Sequence, residues 1–144
     1  MARPFHGGTI AGVESISAAT TLGKSDSGKV FMITDSGGSG YPITLPTPAN
    51  AGVGFHAKFI VNVAAGATLN NSGGEDVILS DGQSDVMVTH FIDANSDVVT
   101  DDASDTIAFD NTAVKGDFIE LFTDGSIYYA YGVSGVNAGI TVAT

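Results

Sequence analysis

The chain has 144 residues, a formal net charge of −11 and no cysteine. That length fits one domain able to bury a core, and the missing cysteines exclude disulfides and thiolate metal sites. The five basic residues, Arg3, Lys24, Lys29, Lys58 and Lys115, are scattered, which excludes the clustered cations that phosphate backbones require, so no nucleic-acid partner is expected.

Residues 1–12 read as an amino-terminal arm, because Pro4 and the pair Gly7-Gly8 disfavour regular structure. The arm carries one charge and no apolar stretch, so no export signal is expected there. No apolar run approaches the roughly 18 residues that cross a bilayer, so no membrane partner is expected. Residues 13–144 read as a single β domain. Nineteen glycines and recurrent turn clusters punctuate the chain, such as Asn70-Asn71-Ser72-Gly73-Gly74 and Asp81-Gly82. No segment keeps helical spacing over three turns, so helix content should be small.

The first clear strand is 30–34, a nearly continuous apolar run expected to be buried on both faces. Over 55–63 the alternation is plain. Phe55, Ala57, Phe59, Val61 and Val63 share one face, and His56, Lys58, Ile60 and Asn62 share the other. Further strands are predicted at 76–79, 85–92, 97–100, 106–109 and 139–142. The strongest local signal is Asp124-Gly125 between two β-prone runs, 118–123 and 126–131. It predicts a tight hairpin with a type I′ turn. Short strands without intervening helices give the expected fold class: an all-β antiparallel sandwich or barrel-like domain.

Thirteen of the sixteen acids lie between Glu75 and Asp124. This is either a solvated, self-repelling surface or an outward-facing half whose uncharged remainder meets a partner. Motif matches are thin. Gly23-Lys24-Ser25 has Ala18 where a phosphate loop needs glycine. Asp93-Ala94-Asn95-Ser96-Asp97 opens like a calcium loop, but Val98 and Ser104 occupy its glycine and glutamate positions. A looser cation site from Asp97, Asp101, Asp102 and Asp105 competes with a solvated acidic loop. His6, His56 and His90 form no close-spaced metal pair. Gly132-Val133-Ser134-Gly135 misses the nucleophile elbow, and Asn70-Asn71-Ser72 is a formal glycosylation acceptor more simply read as a turn. Tyr41, Tyr128, Tyr129 and Tyr131 could form a sugar platform. Against that, alternation places Tyr128 on one face and Tyr129 and Tyr131 on the other, as core and strand surface do. No catalytic residue, metal site or cofactor is assigned, and the chain is not expected to be an enzyme.

Several segments recur in a familiar order. They are Ser27-Gly28-Lys29-Val30-Phe31, Ile43-Thr44-Leu45-Pro46, Ala51-Gly52-Val53-Gly54-Phe55, Ser104-Asp105-Thr106-Ile107, Gly116-Asp117-Phe118-Ile119-Glu120-Leu121, Asp124-Gly125-Ser126-Ile127-Tyr128-Tyr129, and Gly132-Val133-Ser134 followed by Gly139-Ile140-Thr141. Over roughly residues 15–144 the chain resembles small virion proteins of tailed bacteriophages, namely capsid decoration (cement) proteins and related tail-fibre β modules. Many such modules carry tryptophan after the Asp-Gly turn, where this chain has tyrosine. The resemblance implies a homotrimer made in the host cytoplasm and bound to the major capsid protein on the virion surface. Arg3, Pro4 and Phe5 are the candidate docking residues, since an arm can order in a capsid seam and Phe5 could fill a pocket. The alternative is a tail-fibre or head-fibre module that binds host glycan. A sugar-cleaving enzyme would need two carboxylates at a set separation in a cleft.

Overall fold

The computed structural model describes residues 12–34, 39–69, 75–78 and 83–144. In chain order the strands are β1 (Val13–Ile16), β2 (Thr20–Thr21), β3 (Val30–Ile33), β4 (Pro42–Thr44), β5 (His56–Val61), β6 (Glu75–Ile78), β7 (Met87–Ile92), β8 (Val98–Ser104), β9 (Thr106–Phe109), β10 (Phe118–Thr123), β11 (Tyr128–Val133) and β12 (Ile140–Ala143). They form a seven-stranded sheet, β1-β3-β5-β10-β11-β7-β8, and a five-stranded sheet, β12-β9-β6-β4-β2. The fold is all-β, as expected. Among the described residues, helix is limited to a 3-10 turn at Lys24–Asp26 and the single turn α1 (Pro48–Ala51).

The pairing is mixed rather than purely antiparallel, and the chain path explains why. Through its first half the chain alternates between sheets. β1, β3 and β5 stack in parallel in the larger sheet, and β2, β4 and β6 stack in parallel in the smaller one. Parallel neighbours need a crossover, which is usually a helix. Here each crossover is a strand of the opposite sheet, so the chain coils around its own core. The second half closes the coil with antiparallel pairs. β10 lies on β5 and β11, while β9 lies on β6 and β12. β7 runs parallel to β11 and antiparallel to β8. At Asp105 the chain passes from one sheet to the other, and its N–H donates to the Ala143 carbonyl at 2.9 Å.

One hydrophobic cluster lies between the sheets. Ala57, Phe59 and Val61 of β5 are buried, with Phe55 and Val63 buried at the flanks, which is the face the alternation assigned. Phe59 stacks on its register partner Phe31 at 5.3 Å. Ile43, Ile107, Phe109 and Ile140 complete the cluster from the smaller sheet. Each such side chain contributes roughly 1.5–3 kcal/mol by leaving water.

Three local expectations need correction. The strand at 30–34 is not buried on both faces: Phe31 and Ile33 enter the core, but Val30 and Met32 are half-buried on the outer face. The strand expected at 97–100 runs on to Ser104. It holds Asp101 and Asp102 because it is an edge strand, where charges are tolerated, with a bulge opposite Met87 and Thr89. The hairpin forms, but its central residues are Gly125 and Ser126 rather than Asp124 and Gly125. The Asp124 N–H donates to the Ile127 carbonyl at 3.3 Å, and among these residues only Gly125 has positive φ, 93°. Gly125, free of a Cβ, supplies the positive φ that this turn requires. The Asp124 carboxylate fixes it by accepting from the N–H groups of Ser126 and Ile127 at 2.8 and 2.9 Å.

Candidate functional site

Strand alternation sends every second side chain of the seven-stranded sheet away from the core. Register aligns those outer residues in rows across the strands. One row reads Ser15, Met32, Ile60, Phe118, Val133, Ile92, Val98, so it is apolar over six consecutive strands. The next reads Val13, Val30, Lys58, Glu120, Tyr131, His90, Thr100. A third, shorter row reads His56, Phe122, Tyr129, Val88.

Scattered exposed apolar residues are ordinary, whereas a contiguous patch is informative. Seven large hydrophobic residues are exposed among the described residues: Val13, Val53, Ile92, Val98, Phe122, Tyr131 and Val133. All but Val53 lie on this one face. The charges there nearly balance, with Lys58 against Glu120 and Asp102, while the chain carries −11. The charge of the chain is therefore carried elsewhere.

Tyr131 stands at the centre of the face, 48% exposed, between two depressions. On one side is a cleft of about 310 Å³ walled by Ile92, Val98, Phe118 and Val133. On the other is a cleft of about 400 Å³ walled by His56, Lys58, Glu120 and Phe122. The Lys58 ammonium sits 4.3 Å from the Phe118 ring centre and 3.9 Å from Glu120 Oε2. Its charge is thus shared between an aromatic face and a loose ion pair. Partial burial first, and then the negative charge of the neighbouring Glu120 carboxylate, raise the Tyr131 hydroxyl above its ordinary value, so it stays protonated. Phe122 and Tyr129 stack across β10 and β11 with centroids 5.2 Å apart, and the Tyr129 hydroxyl donates to Asp124 Oδ2 at 3.3 Å. The face is held by hydrogen-bonded strands and paired side chains, so it is ordered before anything binds it.

Arg3, Pro4 and Phe5 lie outside the described residues. His56 and His90 share the face on β5 and β7, but β10 and β11 intervene and the two lie in different rows, which separates them by more than roughly 14 Å at ordinary strand spacing. No three His, Asp or Glu among the described residues converge as metal ligands. Asp97, Asp101, Asp102 and Asp105 are instead strung along β8 and its ends. Tyr128 and Tyr41 are buried, so the four tyrosines do not form one platform. Ser134 is buried and donates to Asp117 Oδ2 at 2.9 Å. The Gly23 N–H is taken by Asp26 Oδ2 at 2.8 Å, which closes the apparent phosphate loop on its own carboxylate.

The apolar row was not assigned from sequence, although a signal for it exists. β10 and β11 carry apolar side chains on both alternations: Phe118 and Phe122 opposite Ile119 and Leu121, and Tyr129, Tyr131 and Val133 opposite Tyr128 and Ala130. Strands apolar on both faces are those covered on both faces. Compared with known proteins, the chain matches no family model, no curated protein sequence and no solved structure.

Proposed function

We propose that this chain works by association rather than catalysis, as a decoration protein on the outer surface of a tailed-bacteriophage head. The observation that carries association is the outer face of the seven-stranded sheet: ordered, apolar and nearly neutral on a strongly acidic chain. A surface of that kind stabilises an assembly by being buried in it. The head as the site of assembly rests on the resemblance of the turn and strand segments to decoration proteins. In this reading the major capsid protein is the partner, and the acidic remainder faces solvent. A protein that binds only the intact shell stabilises it by mass action, and many copies on one shell add multivalent strength.

The test is co-sedimentation of the purified protein with undecorated mature capsids, followed by a thermal melt of the shell. Saturable binding at a fixed copy number with a raised melting temperature is expected. Absence of binding sinks the decoration reading. The fibre reading then leads, favoured by the exposed rings of Phe122 and Tyr131 beside the polar groups of the larger cleft. A glycan array probed with wild type and Tyr131→Ala would decide it.

A further inference from the structure

We infer that the outer face of the seven-stranded sheet is a self-association surface, covered by the same face of a second copy of this chain. The inference rests on the association reading above and gives this face to contacts between copies, leaving the shell to be met by other surfaces of the assembled copies.

The face has the area for such a contact. The six exposed apolar side chains on the face present on the order of 500 Å² of apolar surface, given ordinary side-chain areas and their fractional exposures. The half-buried side chains between them, including Met32, Ile60 and Phe118, bring the whole face toward the roughly 800 Å² per partner of a stable interface. Seven strands at ordinary spacing span about 30 Å, so the face is broad enough to pack as one sheet on another.

Charge favours the same occupant. Two copies of a chain carrying −11 repel each other across most of their surfaces. A strongly basic partner would be drawn to the acidic surfaces, where attraction is greatest. This face offers neither effect. Its Lys58 is already matched by Glu120, its row from Met32 to Val98 is uncharged, and the remaining carboxylate, Asp102, lies on the edge strand. A like-charged copy can therefore approach this face with little repulsion. Screening the remaining charge with salt should strengthen the contact.

The experiment is sedimentation equilibrium of the full chain at about 10 μM in low and high salt, a concentration that reports micromolar assembly. Wild type is expected to be oligomeric, more so in high salt. Val133→Glu and Val98→Glu place a charge on side chains that are 43% and 62% exposed in the single chain, so the core is untouched. Each is expected to weaken assembly at least about tenfold while leaving the circular dichroism spectrum unchanged. Val53→Glu, 84% exposed and off the face, is the control and should assemble like wild type. A wild-type monomer at both salt concentrations overturns the inference. So does an oligomer that both face variants leave intact. Capsid co-sedimentation of the same samples separates the two proposals. Self-association that fails while capsid binding persists sinks only the inference drawn here, and assembly that persists without capsid binding sinks only the decoration reading.

Discussion

Asp117→Ala should be among the most damaging single substitutions, because one carboxylate joins two connections that strand pairing leaves separate. Asp117 is 3% exposed at the entrance to β10. Its Oδ1 accepts from the Gly135 N–H at 2.8 Å, and its Oδ2 accepts from the Val114 N–H at 3.1 Å and the Ser134 hydroxyl at 2.9 Å. The link ties the turn before β10 to the loop between β11 and β12. Alanine leaves two backbone donors without these acceptors. The Ser134 hydroxyl can turn instead to the Val136 carbonyl, 3.0 Å away. A donor left without a partner costs roughly 1–3 kcal/mol, and both of these are only part-buried, so the expected loss is about 2–3 kcal/mol. Asp117→Asn would keep one acceptor and turn an amide toward the other donors, for a loss of about 2 kcal/mol. Ser134→Ala, which removes one hydroxyl partner, should cost about 1 kcal/mol.

Urea unfolding at neutral pH, followed by far-ultraviolet circular dichroism, measures these losses directly. The chain has no tryptophan, so intrinsic fluorescence would report only tyrosine. The Asp117→Ala, Ser134→Ala double variant should fall short of the sum of the singles by about 1 kcal/mol, since both remove one shared contact. An Asp117→Ala variant within about 0.5 kcal/mol of wild type would refute the reasoning, because water would then be satisfying the freed groups.

The same loop constrains Gly139, where an added Cβ would run into the Ser134 hydroxyl and lie 2.6 Å from Val136 Cγ2. Gly139→Ala should therefore lower stability by about 1–3 kcal/mol in the same urea assay. Tyr128→Phe keeps the ring packed edge-on to Phe55 but removes a hydroxyl that donates to the Pro46 carbonyl at 2.7 Å. The expected loss is about 1–2 kcal/mol, and burial raises that hydroxyl well above the ordinary tyrosine value. Acid sensitivity follows from two carboxyls. The N–H groups of Ile127 and Ser126 hold Asp124 below its ordinary value. At Asp26 burial opposes, but the Gly23 N–H and the Lys29 ammonium prevail and lower it too. Folded values below unfolded ones give stability that is complete above the ordinary aspartate value and drains as pH falls through the folded values. The urea midpoint should drop over that acidic range, and Asp124→Asn should flatten part of the drop.

The inward half of the fold was legible wherever a strand has one buried face and a clear period of two. β5 is the best case, with every core residue assigned from alternation alone. β1, β2 and β4 were not assigned as strands. They are two to four residues long and hold at most one buried residue each, and they form because neighbouring turns of the coil supply their hydrogen bonds. Parallel pairing was invisible for a related reason, since it depends on which sheet each connection enters rather than on any local residue. The turn at Asp124-Gly125 was located but misread by one residue. The Asp124 side chain caps the turn from outside instead of occupying its centre. The association face was hidden because each strand of it looks ordinary, and only register across six strands makes a continuous row.

Area alone does not decide how firmly that face binds. Covering about 500 Å² on each of two copies at roughly 25 cal/mol per Å² yields a gross gain of about 25 kcal/mol, against the approximately 4–15 kcal/mol that association costs and the further cost of ordering side chains and desolvating polar groups. The balance then falls to a few well-packed anchors rather than to the average of the patch. Tyr131 is the residue placed to be one. It separates the two clefts, stands beside its register partner Glu120 on β10, and has a large ring half exposed beside apolar walls. Val98 is more exposed, at 62%, but lies on the edge strand at the rim of the face. Tyr131→Ala should therefore weaken assembly by about 2 kcal/mol or more, roughly thirtyfold, and Val98→Ala by under about 1 kcal/mol. Sedimentation equilibrium of the two variants compares them directly. Equal effects, or a larger one at Val98, would mean that exposure rather than position governs the contact, and the anchoring role of Tyr131 would fall.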